Sequence, residues 1–116
     1  MKTPGDAELL RIFIGESDKY EGRPLYEKIV DLAREQGLAG ATVLRGTLGF
    51  GAHSHMHSAK ILRLSEDLPM VIEIVDKPQK IERFVPLLDG MIQEGLVTLE
   101  SIHVLAYRAP EPSGDD

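Results

Sequence analysis

Gly49 to Ser58 reads GFGAHSHMHS and carries three of the chain's four histidines, His53, His55 and His57, at every second position. Neutral imidazole is a common ligand of zinc, copper and nickel, and it titrates near pH 6.5 when unperturbed. On an extended strand, residues two apart project to one side without converging. A single ion would therefore need the segment to curl, or one histidine from each of several chains. The spacing is compatible with a zinc, copper or nickel site on His53, His55 and His57, with an effector-contacting loop, and with solvated imidazoles on a surface arm. Immediately before them, Gly49 and Gly51 flank Phe50. Glycines there allow a backbone to approach a ligand closely, and equally allow a strand to end in a bulge. No serine or other nucleophile stands with a histidine and a carboxylate at a recognisable spacing. Glu66 and Asp67, ahead of Leu68 and Pro69, read as acidic turn residues, and His103 as a hydrogen-bonded structural residue. These residues point away from an enzyme.

Composition narrows the remaining classes. The 116 residues suit one domain, and 42% hydrophobic with 28% charged residues is ordinary for a globular chain. A net charge of -6 opposes tracking of a phosphate backbone, so nucleic acid is not an expected partner. The absence of cysteine removes thiolate ligands, thiol nucleophiles and disulfides. Apolar runs fall short of the roughly 20 residues that span a bilayer, which gives an expectation of a cytoplasmic protein.

The elements that must carry these residues follow from periodicity. Residues 1–6 and 109–116 hold turn formers and acids and read as loose tails around a domain at 7–108. AELLRIFIG alternates as a strand ending at Gly15. RPLYEKIVDLAREQG places Leu25, Ile29, Leu32 and Ala33 at helical spacing, with Pro24 at its start and Gly37 past its end. ATVLRGTLGF reads as a strand with Gly46 as a possible bulge, AKILRL as a short strand and MVIEIV as a strand. DKPQKIERFVPLLDGMIQEG repeats the helical pattern with Ile81, Phe84, Leu88 and Ile92 on one stripe. Its interior Pro86 predicts a kink. LVTLESIHVLAY closes the pattern as a long strand. This order predicts an α+β, ferredoxin-like sandwich (β-α-β-β-α-β) with both helices on one face of an antiparallel sheet. The other face mixes Leu9, Phe13, Val43, Val71 and Val75 with Arg11, Arg45, Glu73 and Glu100, with Arg45 and Glu73 as a candidate ion pair. Such a face calls for a cover, most simply copies of the same chain. Chain direction then makes GESDKYEGRP, the histidine segment and QEGLVT neighbours at one sheet edge. The start of the first helix, with Lys19 and Arg23 beside it, would offer an anion environment there.

GLAGATVLRGTLGFG and EDLPMVIEIVDKPQKIERFVPLLDGMI resemble the PII signalling proteins. FIGESDKYEGRPLYEKIV, GFGAHSHMHSAKILRLSEDLP and EGLVTLESIHVLAY resemble more closely the PII-like family known as domain of unknown function 190. The resemblance implies a ferredoxin-like subunit and a homotrimer with inward-facing sheets. It also implies a regulatory protein that binds a small anionic effector, an adenine nucleotide among the candidates, in the cleft between subunits. Gly40, Thr42, Gly49, Phe50, Gly51 and His53 would form that site, and the partner would be a membrane ion transporter or channel. Four features depart from the PII pattern: the basic Arg-x-Arg pair after the last strand is reduced to Arg108, one extra residue separates Thr42-Val43 from Gly49, and two more concern the loops. The glycine-rich lysine loop that meets nucleotide phosphates is replaced by QEGLVT, and no tyrosine lies between Gly51 and Ser58.

Overall fold

The computed structural model describes residues 5–51 and 67–109. Alternation of side chains organises its longest strand, β1 (Gly5–Gly15), with Leu10, Ile12 and Ile14 buried on one side and Leu9, Arg11 and Phe13 half-buried on the other. A short hairpin of β2 (Lys19–Tyr20) and β3 (Arg23–Pro24) leads into α1 (Leu25–Glu35). Then follow β4 (Thr42–Arg45), β5 (Pro69–Asp76), α2 (Pro78–Leu88) and β6 (Leu96–Val104). The sheet order is β4-β5-β1-β6 with every neighbouring pair antiparallel. This is the expected ferredoxin-like arrangement. The segment AKILRL, read as a short strand, lies outside the described residues.

Both helices lie on one side of the sheet because each carries a single apolar stripe. Leu25, Ile29 and Ala33 of α1 join Ile81, Phe84 and Leu88 of α2 in one core with Leu10, Ile12 and Ile14 of β1 and Met70, Ile72 and Ile74 of β5. Pro24 immediately precedes α1, where its missing N–H costs nothing, and Gly37 follows with φ of 76°. At the far end of this layer Asp76 is buried, and its carboxylate accepts the Ala39 and Lys77 amides at 2.8 and 2.7 Å. One side chain thus ties the α1–β4 connection to the start of α2.

The details depart from the sequence pattern in several places. β1 begins two residues earlier than its apolar alternation, since Gly5 and Asp6 pair with Val104 and His103 of β6. Pro86 does not kink a long helix. It precedes the end of a shorter one, because α2 stops at Leu88 and Asp89 donates to the Pro86 carbonyl at 3.2 Å in a tighter turn. β4 covers only Thr42–Arg45, and Gly46 ends it by donating to the Pro69 carbonyl at 2.7 Å.

The sheet face away from the helices also differs in composition. Residues directly opposite in a ladder share a face. Val43 stands opposite Ile72 and packs against the core, while Leu44, opposite Val71, takes its place on the open side. Arg45 stands opposite Met70, so the expected Arg45–Glu73 pair is not formed. Arg45 instead reaches Glu16 at 3.1 Å, and Glu73 accepts from Arg11 at 2.8 Å. Glu100 is 3.3 Å from the same guanidinium. The hydrogen bond to Glu73 raises the Arg11 pKa above its ordinary value; burial opposes it, and the charges of Glu73 and Glu100 with the Glu100 hydrogen bond add to the rise. The open face is therefore a bed of Leu9, Phe13, Leu44, Val71, Val75 and Leu96 around one cluster in which Arg11 is shared by Glu73 and Glu100.

Gly95 permits the β6 strand to start where it does. Its φ is 155°, and a Cβ there would lie 2.7 Å from the Phe13 carbonyl oxygen. Gly95→Ala should destabilise the fold by roughly 1–3 kcal/mol, read as a lower denaturant midpoint; an unchanged midpoint contradicts this account. Asp76→Ala should cost a comparable amount, about 1–3 kcal/mol, by leaving two amides without an acceptor, and thermal unfolding at neutral pH measures it.

Candidate functional site

Three connections converge where β1 ends, β4 ends and β6 begins, and they enclose a cavity of about 490 Å³. β1 and its exit contribute Phe13, Ile14, Gly15, Ser17 and Asp18. The turn after β4 contributes Gly49, Phe50 and Gly51. Asp67 and Pro69 form a third wall, and Glu94, Gly95 and Leu96 the fourth. The convergence of the GES, GFG and QEGL segments is what chain direction in this fold requires.

Close backbone approach shapes the walls. A Cβ on Gly49 would lie 2.9 Å from Pro69 Cγ, and one on Gly15 would lie 2.7 Å from Asp67 Oδ1. The β1 exit is pinned by hydrogen bonds. Gly15 N–H donates to Asp18 Oδ2 at 3.0 Å, Glu16 N–H to the Leu68 carbonyl at 2.8 Å, and the Ser17 amide and hydroxyl to Asp67 Oδ1 at 3.0 and 2.8 Å. The apolar part of the lining is Phe13, Ile14, Phe50, Pro69 and Leu96. Phe50 remains 67% exposed, so its ring borders the cavity without being buried by its own chain. Phe13 and Leu96 are opposite each other in the β1–β6 ladder on the open side. The cavity is thus continuous with the uncovered sheet face.

Of the residues selected from sequence, Gly49, Phe50 and Gly51 line this cavity. Gly40 and Thr42 do not; they lie at the opposite end of β4, where Thr42 is paired with Glu73. His53, His55 and His57 lie outside the described residues, as does Glu66. Among the described residues no group of three or more histidine, cysteine, aspartate or glutamate side chains could hold a metal ion. His103 is exposed, and its Nδ1 is 3.3 Å from Asp6 Oδ1.

In the anion environment expected at the start of α1, Arg23 and the first amide are already engaged. Hydrogen bonds to Glu27 and then Asp31 raise the Arg23 pKa above its ordinary value, and these two carboxylates, at 3.3 and 3.1 Å, neutralise its charge. The Leu25 amide donates to the Asp18 carbonyl at 2.8 Å. Charged groups in the cavity wall, among the described residues, are the carboxylates Asp18, Asp67 and Glu94. Phe13, Ser17, Asp18 and Leu96 line the cavity without being marked as site residues by the sequence, and Asp67 reads there as a turn residue only. The signal available for them was their position at strand ends on the converging edge.

Comparison with known proteins places this geometry in context. The DUF190 family, described as Uncharacterized ACR, matches residues 7–104. A UPF0166 protein of Aquifex aeolicus is 41% identical over 98 residues, covering 84% of this chain and 92% of the relative. A UPF0166 protein of Methanocaldococcus jannaschii is 37% identical over 99 residues, covering 84% and 91%. Among solved structures, CPII of Thiomonas intermedia bound to ADP, AMP and acetate aligns with a TM-score of 0.63 at 16% identity, over 88% of this chain and 91% of that one. A putative PII-like signalling protein of Thermus thermophilus aligns with a TM-score of 0.59 at 14% identity, over 90% and 93%. At these identities the structural likeness concerns the fold, which is PII-like. With the family match spanning nearly the whole described chain, the protein belongs to the DUF190 family.

Proposed function

We propose that the protein is a non-enzymatic, cytoplasmic PII-like regulator that binds an adenine nucleotide in the cavity between the β1 exit, the 49–51 turn and the start of β6. The observation that carries this reading is the cavity itself. Its volume of about 490 Å³ falls within the roughly 300–1,000 Å³ typical of small-molecule sites. It combines aromatic and aliphatic walls with a few polar groups and glycines that let backbone approach a ligand. Structures of the same fold, CPII with ADP and AMP or with ADP and bicarbonate, lend support to the choice of nucleotide.

Charge dictates the pose. Carboxylates accept hydrogen bonds from ribose hydroxyls and from an exocyclic amine, and they repel phosphate. The base and ribose therefore occupy the space beside Phe13, Phe50, Asp18 and Asp67, and the phosphates point outward. In this reading the protein is a homotrimer whose open sheet faces cover one another. The cavity, continuous with that face through Phe13 and Leu96, then becomes a cleft between subunits. A conformational response to the nucleotide would act on a partner protein, which we assign to the class of membrane ion transporters or channels; the ligand shifts such an equilibrium only through different contacts in the two states.

Titration calorimetry of the tag-free protein with AMP, ADP, ATP and cyclic AMP tests the ligand. At least AMP or ADP should bind with saturable heat, whereas absence of heat with all four removes the nucleotide reading. Light scattering tests the assembly. The wild type should have the mass of three chains, and Val71→Asp, which puts a charge in the centre of the open face, should yield a folded single chain. A wild type that runs as one chain contradicts the trimer.

A further inference from the structure

We propose that Ser17 and Asp67 form the positioning pair of the cavity, fastening the wall of the β1 exit to the wall that enters β5 so that the groups a nucleotide meets stay in place; this rests on the nucleotide reading above. The β1 exit and the segment entering β5 are far apart in sequence, and Asp67 Oδ1 joins them by accepting both the Ser17 amide at 3.0 Å and the Ser17 hydroxyl at 2.8 Å. Beside this pair, the Glu16 amide bonds to the Leu68 carbonyl at 2.8 Å. The connection continues around the rim. Pro69 follows directly, its ring sits against Gly49, and its carbonyl accepts the Gly46 amide at 2.7 Å. The wall holding Phe50 is thereby referenced to the wall holding Asp18 through Asp67.

The location argues for positioning rather than for stability. Both Ser17 bonds to Asp67 are solvent-exposed, outside the core of Leu10, Ile12, Ile72 and Phe84. A hydrogen bond of that kind adds little to folding, because water competes for both partners. It can nevertheless fix where a wall stands, and small displacements of a wall weaken every contact made across the cavity. The bare Gly15 is part of the same device. A Cβ on it would meet Asp67 Oδ1 at 2.7 Å and Asp18 Oδ1 at 3.3 Å, so the two carboxylates can close over the backbone only because no side chain intervenes.

Calorimetry with ADP and AMP on the wild type, Ser17→Ala, Ser17→Thr and Asp67→Ala, each with a thermal melt, provides the test. Ser17→Ala should weaken binding about tenfold, the effect of one lost hydrogen bond, while its melting temperature stays at the wild-type value. Ser17→Thr keeps the hydroxyl and should restore binding, and Asp67→Ala should bind more weakly than Ser17→Ala. Should Asp67→Ala fail to fold, the comparison of the two Ser17 variants still decides. Wild-type affinity in Ser17→Ala, or equal loss in Ser17→Ala and Ser17→Thr, overturns the positioning role and leaves the nucleotide reading intact. A wild type that binds neither nucleotide overturns both.

Discussion

Two eleven-residue helices bury the β1 and β5 side chains on one face of a four-stranded sheet and no more, and the rest of this molecule is arranged around that limit. β1 runs through the middle of the sheet with apolar residues on both sides. Leu10, Ile12 and Ile14 are buried beneath the helices, whereas Leu9 and Phe13 face outward around Arg11. A strand that is apolar on both faces is normally covered on both. The outward side also settles its own charge, since Arg11 is held by Glu73 and Glu100. A face with extensive apolar surface around paired charges is suited to association with copies of itself.

The same limit places the cavity. Phe13 and Leu96 belong at once to the outward face and to the cavity wall, so whatever covers the face borders the cavity. The wall on this chain carries carboxylates, and the nearby guanidiniums of Arg23 and Arg45 are occupied by Glu27, Asp31 and Glu16. Among the described residues this wall presents hydrogen-bond acceptors and flat apolar surface, and no lysine or arginine. Departure from the PII pattern at QEGLVT agrees with that composition, because a glycine at 95 here serves strand pairing against the Phe13 carbonyl.

Much of the fold was legible in the sequence because burial is one-sided and periodic. The alternation in β1 and β5 and the stripes of α1 and α2 each mark a single buried face. What escaped depends on pairing between segments. The side taken by Val43 and the partner of Arg45 are set by the β4–β5 register, and a change of one residue exchanges the faces. The early end of α2 follows from Pro86, whose effect could be read as a kink or as a stop. The β2–β3 hairpin turns at Glu21 and Gly22, both with positive φ, on a dipeptide that lacks the usual asparagine or aspartate signal. Of the cavity lining, Gly49, Phe50 and Gly51 stand out through the family resemblance, since their spacing alone fits a strand-ending bulge equally well. Ser17 and Asp67 do not, since their relation exists only once the β1 exit and the segment before β5 meet.

In the proposed complex the nucleotide lies between the end of β1 and the start of β6, with its base and ribose against the outward-facing apolar residues. A crystal structure of the protein grown with ADP tests this most directly. The account predicts the adenosine moiety in contact with Phe13, Phe50 and Leu96 and the phosphates directed away from Asp67. Density for ADP at the start of α1 beside Arg23, with the cavity holding only water, would contradict it.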